Sequence, residues 1–241
     1  MKSPTRKDTT QTPAQTSSRS EIDAFLDKVK SLGPAVTAGR RGRLVFSLDA
    51  TMSRQPTWDT ACALQADMFR EAAAIGGLDI QLVYFRGLAE CRASGWVANA
   101  ERLSGLMSGI TCQGGHTQIG KVLGHTRKEH ARQSVQALVF VGDAMEEKID
   151  DLSAAAGELG LLGVPVFMFQ EGGDPVAETA YREIARLSRG AYCRFDTGSA
   201  QQLAELLRAV AAYAAGGIKA LADLSARNAG GARALLTQLR A

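Results

Sequence analysis

The stretch Leu44-Val45-Phe46-Ser47-Leu48-Asp49-Ala50-Thr51-Met52-Ser53 decides the fold. Its first half is a short run of branched and aromatic residues without helical spacing, which predicts a buried strand at 44–48. Its second half turns abruptly to one carboxylate and two hydroxyls. Outward from it, similar apolar runs recur at 80–85, 137–141, 164–169 and 191–194. Between them lie segments that read as helices at 57–75, 101–107, 117–129, 146–160, 176–188 and 200–213. Strands that are apolar on successive residues are covered on both faces, and strand–helix alternation supplies the crossovers that parallel strands need. The expected fold class is therefore α/β, a doubly wound, mostly parallel central sheet flanked by helices. Residues 88–97 should pair as a hairpin and form one antiparallel edge strand. In such sheets ligands bind beyond the carboxyl ends of the strands.

Three segments bring chemistry to that rim. Asp49, Thr51 and Ser53 follow the first strand at alternate positions, so an extended backbone would point all three the same way. Gly114-Gly115-His116-Thr117-Gln118-Ile119-Gly120 is a glycine-rich loop opening a helix, which places Thr117 at or near an N-cap. Ala137-Leu138-Val139-Phe140-Val141-Gly142-Asp143 is a central strand that delivers a second carboxylate at its end. Hard oxygen donors of this kind suit Mg²⁺, which takes six oxygens in near-octahedral geometry and keeps several waters.

The order and spacing of these segments resemble the von Willebrand factor A family and its metal-ion-dependent adhesion site, over roughly residues 43–214. That pattern is a strand followed by Asp-x-Ser-x-Ser, a glycine-rich loop with a Thr, and a strand ending in Asp. The resemblance implies a Rossmann-like sheet and an ion held by Asp49, Thr51, Ser53, Thr117 and Asp143. It also implies that the ion's open position takes a carboxylate from a protein partner. Arg54, beside the first motif, and His116, beside Thr117, are the residues expected on the partner-binding rim. Mg²⁺ or Mn²⁺ is the expected ion, and Ca²⁺ fits less well. Thr51 stands where Ser is usual, His116 where another Gly is common, and Gly142 and Ala144 where Thr and Gly are common.

Composition bounds the rest. A chain of 241 residues with 45% hydrophobic and 22% charged side chains holds one domain plus extensions. No apolar run approaches the ~20 residues needed to span a bilayer, so no membrane contact is expected. Cys62, Cys91, Cys112 and Cys193 are widely spaced without a CxxC pair, which argues against zinc and for a reducing, bacterial-type cytoplasm. Residues 1–43 carry nine of the 28 basic and four of the 25 acidic side chains. Residues 1–19 are expected to form a disordered basic tail, 20–42 a helix and linker, 43–214 the α/β domain and 215–241 a helical extension.

Nucleic acid is not an expected partner beyond a weak contact through the tail. An enzyme is not expected either. Asp49 resembles the nucleophile of a Mg²⁺-dependent phosphotransferase or hydrolase, but Thr51 stands where that chemistry needs a second acid. A domain that has lost its metal and serves as a scaffold is the other alternative. Glu146 and Glu147 are expected to stabilise the first turn of their own helix. Glu171 and Asp174 read as solvated loop acids, His125 and His130 as surface residues, and Trp58 as a packing residue.

Overall fold

Strand β1 (Gly42–Asp49) is buried at all eight positions, as its uninterrupted apolar run requires. It lies between two parallel neighbours, β2 (Leu78–Arg86) and β4 (Ala137–Gly142). A computed structural model of the chain describes residues 41–51, 58–59, 63, 77–196 and 200–227. The six-stranded sheet has the order β3-β2-β1-β4-β5-β6. β3 (Glu90–Val97) pairs antiparallel with β2 at one edge, while β5 (Val166–Glu171) and β6 (Ala191–Phe195) extend the parallel part. Both the doubly wound sheet and its antiparallel edge strand are as expected.

The helices are α1 (Ala100–Ser108), α2 (Ile119–Arg132), α3 (Ile149–Leu161), α4 (Pro175–Leu187) and α5 (Ala200–Arg227). α5 is two helical segments joined at Gly217, whose φ of 67° breaks the helical path. Leu44, Phe46 and Leu48 pack on one face of the sheet with Leu203, Leu207 and Val210 of α5 and Leu103 of α1. Val45 faces the other way, into a core built with Val122, Leu152 and Ile184 of α2, α3 and α4. Trp58 is buried and donates its indole N–H to the Met107 carbonyl at 3.2 Å. The expected tail, and the helix and linker before Arg41, lie outside the described residues, as do Cys62 and most of the helix expected at 57–75.

A polar cluster closes the amino end of the sheet. The guanidinium of Arg43, buried on β1, lies 3.7 Å from the ring centroid of Trp96 on β3. It donates to the Gln133 carbonyl at 2.5 Å and stands 3.5 Å from Glu129 Oε2 of α2. Glu129 also accepts the Trp96 indole N–H at 3.0 Å and a bond from Arg132 at 2.6 Å. Burial alone would raise the Glu129 pKa, but the bonds from Trp96 and Arg132 outweigh it and hold the carboxyl below its ordinary value. His125 is likewise drawn inward, with Nε2 2.8 Å from Gln81 Oε1 and its pKa lowered by burial. It is half-buried and not the surface residue that its sequence position suggests, because its ring meets the buried Gln81 of β2.

A carboxyl with a depressed folded pKa stabilises above its unfolded pKa and loses that contribution as pH falls through the folded value. Stability to urea should therefore drop on acidification below about pH 4.5, and part of that acid slope should be missing in Glu129→Gln. Arg43→Ala should cost about 3 kcal/mol at neutral pH, since it leaves Glu129 buried beside one fewer cation. By contrast Ser47, whose fully buried hydroxyl has no hydrogen-bond partner among the described residues, should tolerate Ser47→Ala with no loss of stability.

Candidate metal centre

Connections leave β1 for β2 on one side, and the chain later returns to place β4 on the other, so the topological switch point lies between β1 and β4. In open α/β sheets the crevice at the switch point is where ligands bind. Asp49 is the last residue of β1 and is 2% exposed. Leu48 pairs with Val141, so one step further along the register Asp49 stands beside Gly142, and Asp143 follows directly. Two carboxylates thus occupy neighbouring strand ends.

The strand ends at Asp49, so simple alternation does not orient Thr51. Asp49 Oδ1 instead accepts the Thr51 backbone N–H at 2.8 Å, an Asx-type turn that curls Thr51 back beside the carboxylate. Thr51 is 9% exposed. The Ala50 carbonyl accepts the Gln113 N–H at 2.9 Å, which ties the glycine-rich loop to the first motif. That loop is also pinned to the β2–β3 turn: His116 N donates to the Gly87 carbonyl at 3.1 Å. Gly115 is required there, because a Cβ would come within 2.0 Å of the same carbonyl oxygen.

Thr117 lies one residue before the N-cap of α2, which is Gln118 and makes no side-chain cap. The caps come from the loop after β4. Glu146 Oε2 accepts the Thr117 N–H at 3.0 Å and lies 3.0 Å from His116 Nδ1. Glu147 accepts the N–H groups of Ile119 and Gly120, the latter at 3.0 Å. Both glutamates precede the first turn of α3, so they stabilise the helix before them and not their own. Desolvation raises the Glu147 pKa, opposed by the bonds from Gly120, Ile119 and the Thr117 side chain. Tyr181 of α4 fixes this loop from below, donating to the Ala144 carbonyl at 2.8 Å. Gly142 makes room for it, since a Cβ would meet the Tyr181 hydroxyl at 2.7 Å. This accounts for a glycine before Asp143.

Of the expected site residues, the structure brings Asp49, Thr51, Thr117 and Asp143 to one rim of the sheet, with His116 on its exposed side. Ser53 and Arg54 lie outside the described residues. Sequence reasoning missed the capping role of Glu146 and Glu147, and the burial of Glu171 at the end of β5. No local signal reveals the first, because the partners are 27 to 30 residues apart. Asp174 does not behave as a solvated acid: it is the N-cap of α4 and accepts the N–H groups of Val176 and Ala177. Among the described residues no three of His, Cys, Asp and Glu cluster as metal ligands.

Gly115→Ala should destabilise the chain by about 1–3 kcal/mol in urea unfolding, as overpacking against fixed backbone does. Gly114→Ala, at a position with open space around it, should cost much less. Equal costs would show that the contact with Gly87 does not hold the loop.

Models of protein families give no match to the chain, and a search of curated proteins gives none either. Solved structures do resemble it. A von Willebrand factor type A protein from Catenulispora acidiphila superposes with a TM-score of 0.57 at 17% identity, over 73% of this chain and 43% of that one. The SpRpn10 VWA domain gives 0.54 at 12% identity, over 71% of this chain and 95% of that one. Proximal thread matrix protein 1 from the mussel byssus, with a zinc-occupied MIDAS motif, gives 0.53 at 16% identity, over 72% and 46%. At such identities the likeness is one of fold, and the fold of this chain is that of a von Willebrand factor A domain.

Proposed function

We propose that the chain is a divalent-cation-dependent docking module rather than an enzyme. In this reading Asp49, Thr51, Ser53, Thr117 and Asp143 hold Mg²⁺, or Mn²⁺ in its place, and the ion's open position takes a carboxylate from a protein partner. The observation that carries the proposal is the pair of strand-end aspartates on either side of the switch point, with the buried Thr117 tied to the loop that follows Asp143. The donor set fits a hard ion: carboxylates, hydroxyls and water, without sulfur or imidazole at its centre. A neighbour of the same fold carries zinc in its MIDAS motif, which supports a cation at this rim.

The charge of the rim gives the ion its work. Asp49, Asp143, Glu146, Glu147, Glu171 and Asp174 all belong to strand ends or the loops that follow. At an effective dielectric constant near 20, like unit charges 4 Å apart repel by about 4 kcal/mol. An incoming carboxylate would be rejected by this surface. A dication reverses the local sign and leaves a coordination position for that carboxylate, with Arg54 and His116 as the neighbouring groups on the rim. Residues 43–214 form the docking unit and the segments on either side its extensions. A cytoplasmic location is proposed with it, on the wide spacing of the four thiols.

Calorimetric titration with Mg²⁺ and Mn²⁺ tests this directly. At one hundred times Kd the ion should stabilise the fold by about 2.7 kcal/mol, and that increment should vanish in Asp49→Ala. Asp143→Asn should likewise lose most of the increment that saturating ion gives the wild type, when both chains are compared with and without chelator. Absence of binding at millimolar ion would refute the proposal.

A further inference from the structure

The first turn of α2 holds more acid than helix capping needs. Capping is ordinarily supplied from the N-cap residue itself, by Ser, Thr, Asp or Asn. Here the N-cap, Gln118, contributes no such bond, and two successive glutamates reach across from the loop after β4. One of them, Glu147, is drawn out of water to do so.

The bonds clamp Thr117 and the residues after it. The Thr117 backbone N–H goes to Glu146 Oε2 at 3.0 Å, and its Oγ1 accepts the Glu146 backbone N–H at 3.0 Å. Glu147 holds the N–H groups of Ile119 and Gly120. A threonine hydroxyl has one proton and two lone pairs. With one lone pair on the Glu146 N–H, the other remains as an electron-pair donor. Glu146 is also only three residues beyond Asp143, so the same bonds tie the loop carrying Thr117 to the loop carrying the second aspartate.

We propose that Glu146 and Glu147 are positioning residues for the ion: they hold the loop that carries Thr117 against the loop after β4 and so set the place of its hydroxyl relative to Asp143. The inference rests on the ion site proposed above and goes beyond it, since neither glutamate is assigned as a ligand. Partners that orient metal ligands in this way commonly change affinity by about 10- to 100-fold when lost.

The test uses the full chain and Mn²⁺. Free ion is followed by electron paramagnetic resonance, and waters on the bound ion by proton relaxation. Asp49→Ala is the control for the site, and Glu147→Gln and Glu146→Gln are the probes. Unfolding of each variant in chelator gives its stability without metal. Glu147→Gln keeps the shape of the side chain but places an N–H₂ where a carboxylate oxygen met an N–H. Wild type should bind Mn²⁺ and Asp49→Ala should not. Glu147→Gln should bind about 10- to 100-fold more weakly, with more water on the bound ion as Thr117 lets go. Glu146→Gln should show the same changes, and it serves as the probe if Glu147→Gln does not fold. A merely structural cap would lower stability in chelator without altering affinity or hydration. Binding by both glutamine variants within about twofold of wild type, with Asp49→Ala inactive, would overturn the positioning role and leave the ion site standing. A wild-type chain that binds no Mn²⁺ would overturn both.

Discussion

Parallel pairing of β1 on both of its edges is the constraint from which the rest follows. A parallel neighbour on each side leaves no solvent-facing edge, and helices on both faces leave no solvent-facing side, so the eight residues Gly42–Asp49 are all buried. The approach is close enough that a Cβ on Gly42 would meet the Ala214 carbonyl oxygen of α5 at 2.0 Å. A strand held this way cannot slip by one residue without turning Leu44, Phe46 and Leu48 away from α5 and toward the other core. Its carboxyl end is therefore a fixed point, and Asp49 sits on it.

The two ends of that sheet solve the problem of buried charge differently. At the amino end, Arg43 and Glu129 are buried as a pair, with Trp96, Gln133 and Arg132 supplying the remaining contacts. The cluster is complete in itself and links the edge strand to α2. At the carboxyl end, the acids of the loop after β4 are held by backbone N–H groups at the start of α2, Glu146 by Thr117 and Glu147 by Ile119 and Gly120. Asp49 likewise accepts the Thr51 N–H. One end thus pairs charge with charge, and the other holds its carboxylates with backbone dipoles.

The strands were legible because a central parallel strand has a signature that survives without context: successive apolar residues, too few for a helix, bounded by turn residues. β3 was legible as an edge for the opposite reason, since its polar positions could not be buried. The boundaries of α3 were less so. Its helical pattern starts at Glu146 by periodicity, yet the helix begins at Ile149, because Glu146 and Glu147 are engaged by α2. His125 and Glu171 were misread for a related reason. Polar residues at the end of an apolar segment look solvated until the neighbour that covers them is known, and here the covering comes from β2 and from the strand ends.

By itself the sequence determined the order of elements, the doubly wound class and the identity of the oxygen-bearing residues at three loops, because each depends on composition and spacing within about ten residues. Only the tertiary structure decided how those loops meet: the Asx-type turn at Asp49, the contact of Gly115 with Gly87, the room Gly142 leaves for Tyr181, and the two glutamates that reach back to Thr117 and the start of α2. Each joins backbone or side-chain atoms whose encounter depends on the packed sheet and not on local preference. A hydrogen bond across 29 residues carries no trace in either local sequence, since Glu and Thr are ordinary residues wherever they stand alone.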